Sequence, residues 1–480
     1  MSKISTKPPS GMRDFLPADL VRRRAVIDVV VKAYEAHGFT PLETPAIENL
    51  STLTGKYGEE GDQLMYRLLH RRDALRRPLE AAHAEGRPAR EGELADQGLR
   101  YDLTVPLARV VAQYGQLPRF FKRYQIQPVW RADRPGRGRF REFYQCDVDI
   151  IGTESLVAEA EVCSAVASAL VELGFEAFTV LINHRELLRA MIRAAGIDEA
   201  LEGTALVAVD KLDKVGKQGV LTELEQRGIE AGSGAKLLDM ITPPPGSGAV
   251  YNATLLSSLR ERVDERGKAA IDELGTLMGL CAYNPAGDHL EFAPSLARGL
   301  GYYTGPIFEI RVPDFPSSVG GGGRYDNLVG MFGKQAIPAV GFSLGLERLI
   351  VVKDERGDFD ELAIGPDLML CWMDVDGGRV LELATKLRLA GLNVEVYPEK
   401  TKKLKKQLAY ADAEGVKARF VGICGKQEIE DETLTVKHLA SGEQVTLPVD
   451  AITPERLAAF VDQAVDQAGG GKPSGSTDEG

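Results

Sequence analysis

Cysteine is scarce in this chain of 480 residues. Cys146, Cys163, Cys281, Cys371 and Cys424 are far apart and odd in number, so neither a disulfide framework nor a Cys-x-x-Cys metal motif is implied, and a reducing cytoplasm is expected. Histidine is equally sparse: six residues, scattered, which argues against a structural zinc. No apolar run approaches the roughly 20 residues that a membrane helix needs. Met1 to Pro9 lacks the apolar core of a signal peptide. No membrane partner is therefore expected. Positive charge is in deficit, with a formal net charge of −12. That balance speaks to solubility, whereas affinity for a phosphate chain follows local patches.

Such patches are present. From Arg119 to Arg141 there are eight Arg or Lys against one acid, Asp133, and from Lys400 to Lys406 there are five lysines and no acid. A solvated basic face is the plain reading of each. In the first run the cations alternate with Phe120, Phe121, Tyr124, Trp130, Phe140 and Phe143, a pattern of half-buried strands whose arginines form a surface aimed at an anion.

The length implies two or three domains. Asp19 to His37 reads as an amphipathic helix closed by Gly38, with Leu20, Ile27, Val30, Val31 and Tyr34 on one face. Phe39 to Ile47 reads as extended. His70 to Gln97 is Arg-, Ala- and Glu-rich, an exposed helical or mobile insertion. Phe121 to Trp130 and Phe140 to Ile151 read as two strands of a hairpin with a long basic tip. Thr153 is expected to cap a helix reaching Leu173. Asn183 to Leu280 is helical by pattern, and strand signals return at Leu290 to Ala293 and Pro306 to Val312. Strands interrupted by a long insertion indicate an antiparallel α+β sheet, not a doubly wound fold. Near Gly365 the pattern changes to β-α-β-α-β with a closing hairpin, a separate α/β domain. The Gly- and Ser-rich residues 466–480 are expected to be a disordered tail.

Three segments stand out. The first is Arg131-Ala132-Asp133-Arg134-Pro135-Gly136-Arg137-Gly138-Arg139-Phe140-Arg141-Glu142-Phe143-Tyr144-Gln145. The second, Leu296 to Glu309, sets Arg298 and the pair Tyr302-Tyr303 between glycines. The third is Gly341-Phe342-Ser343-Leu344-Gly345-Leu346-Glu347-Arg348. One cation, two aromatic hydroxyls and close backbone suit a small, polar, planar ligand. In this order the segments resemble the second motif, the histidine motif and the third motif of class II histidyl-tRNA synthetases.

The resemblance implies a class II antiparallel sheet flanked by helices in residues 1–362, with a helical insertion at about 184–285, and an anticodon-binding α/β domain at 363–465. It implies activation of L-histidine by ATP with Mg²⁺ to histidyl-adenylate, then transfer to the 3′ end of tRNA(His), by a cytoplasmic homodimer. It places Arg131, Asp133, Arg139, Phe143 and Arg348 around ATP. Arg131 and Arg298 become the catalytic cations, Arg298 standing where some relatives place a metal ion. Histidine is implied to meet Asp102, Thr104, Gln145, Asp149, Arg298, Tyr302, Tyr303 and Tyr325. Asp102, Thr104 and Gln145 match residues that bind the α-amino group. Asp149 and Tyr303 match the pair that bonds the imidazole nitrogens; a strand-end cap is the plainer reading of Asp149.

The chain departs from the family at Asp133, usually Glu, and at Gly301, usually Asp. At Gly136 the common bacterial enzymes carry Gln and approach the extra 5′ nucleotide of histidine tRNAs there. One competing reading is an inactive paralogue serving as a regulatory subunit of histidine biosynthesis. Such paralogues typically lack the C-terminal domain and the motif arginines. A second is a synthetase for another amino acid, against which the Arg298 to Tyr303 segment argues.

Overall fold

The computed structural model describes residues 4–298, 301–333, 335–360 and 362–469. Gly299 and Leu300 of the histidine segment, and residues 470–480 of the expected tail, lie outside them. The chain divides into two compact units. One comprises the residues up to Asp358 except Leu16–Val21; the other takes Leu16–Val21 and everything from Phe359 onward.

The first unit is built on an eight-stranded sheet. Its strands run, in spatial order, Thr40–Pro41, Phe121–Trp130, Glu142–Ile151, Ala339–Gly345, Gly320–Arg324, Pro306–Arg311, Thr179–His184 and Leu290–Phe292. Only the two edge pairings are parallel; the six central strands are antiparallel. The period-2 alternation of strands sorts the faces. Cys146, Val148 and Ile150 go to the core, and Gln145, Asp147 and Asp149 to the opposite face. Between Thr179–His184 and Leu290–Phe292 the chain makes helices Arg185–Ala194, Glu202–Val209, Leu212–Gln226, Ala231–Ile241, Ala249–Arg260 and Glu265–Cys281. This is the helical excursion that the pattern indicated.

Gly320–Arg324 is a central strand despite four consecutive glycines. A Cβ at Gly322 would overlap the carbonyl of Gly341 on the neighbouring strand, and Gly323 has φ +156. Larger residues have no room between these strands, so crowding by tertiary neighbours overrides the low strand propensity of glycine.

Several expectations are corrected. The first helix is Pro17–Ala36, and Arg23 is buried on it while Leu20 is exposed. Residues 70–97 hold the exposed helices Asp73–Ala84 and Glu91–Leu94, as one of the two readings had it, but end in strand Ala95–Leu99, which was not expected. That strand pairs with Ile47–Asn49 and Arg67–Leu69 in a small sheet. Thr153 does not cap the next helix; it accepts from Ser155 N in the preceding turn, and the helix spans Val157–Glu172. The final helix, Pro454–Gly469, carries helical backbone into the segment assigned to the tail.

The second unit has a five-stranded sheet ordered Val394–Val396, Leu368–Trp372, Phe420–Cys424, Thr433–His438 and Gln444–Pro448. The first three are parallel and the last two close as an antiparallel hairpin. Helices Gly377–Leu389 and Leu404–Ala411 make the crossovers. Among the described residues no helix is long and apolar enough to cross a membrane.

Candidate active site

Every residue that the sequence nominated lines one cavity of ≈ 230 Å³ in the first unit. The floor is the polar face of the hairpin. Directly across the ladder, Arg123 stands opposite Asp149, Gln125 opposite Asp147, and Gln127 opposite Gln145. On the other side Asp149 faces Gly341, Asp147 faces Ser343 and Gln145 faces Gly345. Residues directly opposite share a face, so small residues on one flank leave the acids open to the cavity. A Cβ at Gly341 would overlap Asp149 Oδ1.

One end of the cavity is acidic and phenolic. Asp149 accepts from the Tyr325 hydroxyl and pairs with Arg123 Nη2 at 2.7 Å. Asp102, buried before helix Thr104–Gln113, takes Tyr57 OH at 3.0 Å, Val105 N at 3.0 Å and Tyr302 OH at 3.4 Å. The Tyr302 and Tyr303 rings lie 4.9 Å apart, and Tyr325 meets Tyr302 edge-on at 6.0 Å. Burial pushes Asp102, Asp147 and Asp149 above the usual carboxylate range. Arg131 opposes the shift at Asp102, and Arg123 opposes it at the other two. Burial likewise raises the three tyrosines, which stay protonated at neutral pH.

The other end is cationic. Arg131 follows the hairpin's first strand; its Nε donates to Tyr101 O at 3.0 Å and its guanidinium lies 5.2 Å from the Phe143 ring. Arg348, on helix Leu346–Glu355, donates from Nε to Gly138 O at 3.4 Å and from Nη1 to Ser318 O. Burial depresses its pKa, with Arg139 and Arg131 adding to the effect. Arg139 stands 4.0 Å from Asp133. Arg298 has left-handed backbone, φ 52, and donates from Nη1 to Phe308 O at 3.0 Å. Glu309 is 3.9 Å from the same nitrogen, and Nε is buried without a partner. Three buried or half-buried guanidiniums converging from separate segments favour a multiply charged anion.

Sequence reasoning missed four contributors. Arg123, counted with the outward basic run, is fully buried under the acids. Two other cations of that run are also engaged internally: Arg137 pairs with Glu355, and Arg141 Nε donates to Asp133 O at 3.1 Å. Ser343 accepts from Gln145 Nε2 at 2.8 Å. Tyr57 supports Asp102 from a loop with no periodic signal. Glu347, beside Arg348, is buried and held by Arg23 at 2.9 Å and by Tyr144 N at 2.9 Å. Among the described residues no group of three or more His, Cys, Asp or Glu side chains is placed to hold a metal ion.

Comparison with known proteins gives one answer. Residues 93–349 match the family model for histidyl-tRNA synthetase, and residues 376–455 match that for an anticodon binding domain. A histidine–tRNA ligase of Cytophaga hutchinsonii is 40% identical over 449 residues, covering 92% of this chain and 98% of that protein. One of Porphyromonas gingivalis is 40% identical over 454 residues, covering 93% and 97%. The crystal structure of histidyl-tRNA synthetase from Nostoc sp. PCC 7120 superposes with a TM-score of 0.75 at 29% identity, over 97% of this chain and all of that one. The chain belongs to the histidyl-tRNA synthetase family.

Proposed function

We infer that this protein is a histidine–tRNA ligase: it joins L-histidine to ATP as histidyl-adenylate, releasing diphosphate, and passes the histidyl group to the 3′ end of tRNA(His). The observation that carries the reading is the two-ended cavity. Arg131, Arg298 and Arg348 converge at one end, and buried acids with three phenols stand at the other. Displacement at the α-phosphorus needs little covalent help from a protein. It needs the carboxylate and phosphate held in line, and charge stabilised as the bond to diphosphate breaks. Arg131 and Arg298 fit that task at the α-phosphate. Arg348, with Arg139 nearby and Phe143 across the cavity, fits the adenine and the outer phosphates. Asp133 stands beside Arg139 at the loop that would cover the nucleotide.

Asp102, Thr104 and Gln145 fit the α-ammonium, and Asp149, Tyr302, Tyr303 and Tyr325 form the walls around the imidazole. A neutral imidazole offers one donor and one acceptor, which an acid and a phenol on opposite sides can satisfy. Mg²⁺ is proposed as the ion that accompanies ATP, held chiefly by phosphate and water oxygens.

Residues 1–362 are proposed as the catalytic domain, with 184–285 as its helical insertion, and 363–465 as the domain that meets the anticodon. A homodimer in the cytoplasm is proposed from the family resemblance. The regulatory reading has no observation in its favour: the motif arginines and the C-terminal domain are both present. The test is aminoacylation. With ATP, Mg²⁺ and [¹⁴C]histidine, the enzyme should form acid-precipitable histidyl-tRNA from tRNA(His) transcript; failure with active transcript refutes it.

A further inference from the structure

The backbone that presents Arg298 is held from behind by two side chains where the helical insertion begins. Asn183, near the end of strand Thr179–His184, is fully buried. Its Nδ2 donates to Pro294 O and to Leu296 O, each at 3.0 Å, and its Oδ1 accepts from His184 N at 2.8 Å, which fixes the amide. Arg185 opens helix Arg185–Ala194 and is buried as well. Its Nη1 donates to Ala297 O at 2.9 Å and to Arg298 O at 3.4 Å, and its backbone N donates to Gly305 O at 2.9 Å. One residue therefore grips both limbs of the histidine segment, the one that reaches Arg298 and the one that leaves after Tyr303.

The helix gives no reason of its own for a cation at its first position. A helix N-terminus favours acids, and cations belong at the other end. This end is already capped by His184, whose Nδ1 accepts from Glu186 N at 3.1 Å. Among the described residues Arg185 forms no ion pair, and the nearby Glu202 is taken by Arg189 at 2.7 Å. Burial lowers the pKa of Arg185, with Arg189 adding and Glu202 and Asp210 opposing. The charge is directed instead at the carbonyls of Ala297 and Arg298. Arg298 has φ 52, a left-handed backbone that a non-glycine residue keeps only where its surroundings over-determine it. Charge-assisted bonds to the carbonyls on both sides of that φ supply the hold.

We propose that Arg185 is a positioning residue for adenylate formation: it touches no substrate, but fixes the turn that aims the Arg298 guanidinium at the α-phosphate. The insertion and the catalytic cation then share one support. The proposal rests on the reading of Arg298 given above. The test is the rate of adenylate formation in single turnover at saturating histidine and ATP, measured by rapid quench on the full chain. Native enzyme, Arg185→Ala, Arg298→Ala and the double variant are compared. Arg185→Ala should slow the step about 10²-fold, the scale of a 1 Å misplacement at a reacting group. The apparent Kd for ATP should change little, because Arg131, Arg139 and Arg348 are untouched. Added to Arg298→Ala, Arg185→Ala should cost nothing further, since it acts through the group already removed.

A residue that only supports the fold of the insertion would slow both backgrounds equally and weaken ATP binding with it. That result overturns the proposal, as does a native rate in Arg185→Ala. Should Arg185→Ala not fold, Arg185→Gln removes the charge and keeps an amide donor. It should be slower than the native enzyme and no slower again when combined with Arg298→Ala; a native rate overturns the proposal here too. If Arg298→Ala itself leaves adenylate formation unchanged, the α-phosphate reading of Arg298 fails, and the proposal falls with it.

Discussion

The guanidinium of Arg298 lies where a side chain at Gly321 would be: a Cβ built at 321 overlaps Arg298 Nη1. The glycine-rich strand is therefore a mould for the cation that the left-handed backbone at 298 delivers. Gly321→Ala should displace the guanidinium and slow single-turnover adenylate formation by about 10²–10³, the range for losing one preorganised charge donor. Arg298→Ala should do the same, and the double variant should be no worse than either, since both remove one group. Rapid-quench measurement of adenylate formation checks it; additive losses would mean that Gly321 serves some other role.

The pH dependence of stability follows from the acids. Asp147 is raised above its ordinary value chiefly by burial, with Asp149 adding and Arg123 opposing. A folded pKa above the unfolded one stabilises fully below the unfolded value, and that stabilisation is lost as pH rises through the folded value. Ionised Asp147 is thus a cost to the free enzyme at neutral and alkaline pH. The melting temperature of Asp147→Asn, relative to the native enzyme, should rise as pH is taken from about 4 upward. Parallel melting curves over that interval would show that Asp147 titrates as an ordinary carboxylate.

Much of this site was legible because its parts obey local rules. Asp147 and Asp149 share a face by strand period alone, and glycines beside Arg298 and the two tyrosines mark close backbone approach. Arg123 was not legible from its own segment. It sits in a run of cations, and local composition makes the run look like a surface. Its true setting is set by the cross-strand register, which puts Arg123 opposite Asp149. The Gly136–Arg139 turn does not give that register: extended outward, it would set Arg123 against Gly152. The strand at Gly320–Arg324 was hidden for a different reason. Its residues are chosen for what they leave out, and no propensity signals an absence.

The Lys400 to Lys406 run is less uniform than its composition. Lys406 pairs with Glu399 at 2.7 Å and Lys402 with Asp374 at 3.3 Å. Lys400, Lys403 and Lys405 are the better candidates for backbone phosphate. Replacing these three by Ala should lower kcat/KM for tRNA and flatten its dependence on salt, leaving diphosphate exchange intact. An unaltered salt slope would remove the run from the tRNA footprint.

At the hairpin tip Gly136 and Arg139 bond each other through both backbone pairs at 3.0 Å, and nothing stands within 4 Å of a Cβ at Gly136. Arg137 is committed to Glu355. With no side chain at 136 to read a base, kcat/KM should depend little on the extra 5′ guanosine of the tRNA. Gly136→Gln, which the open space accommodates, should increase that dependence. Preference in the native enzyme beyond the roughly 1–3 kcal/mol of a good base contact would show that another residue reads it.

The central claim is that one cavity activates histidine and no other amino acid. ATP–diphosphate exchange with each of the standard amino acids in turn, in the presence of Mg²⁺, measures it directly. The arrangement of Arg131, Arg298 and Arg348 against Asp102, Asp147 and Asp149 predicts exchange with histidine alone. Exchange with a different amino acid and none with histidine would contradict the account.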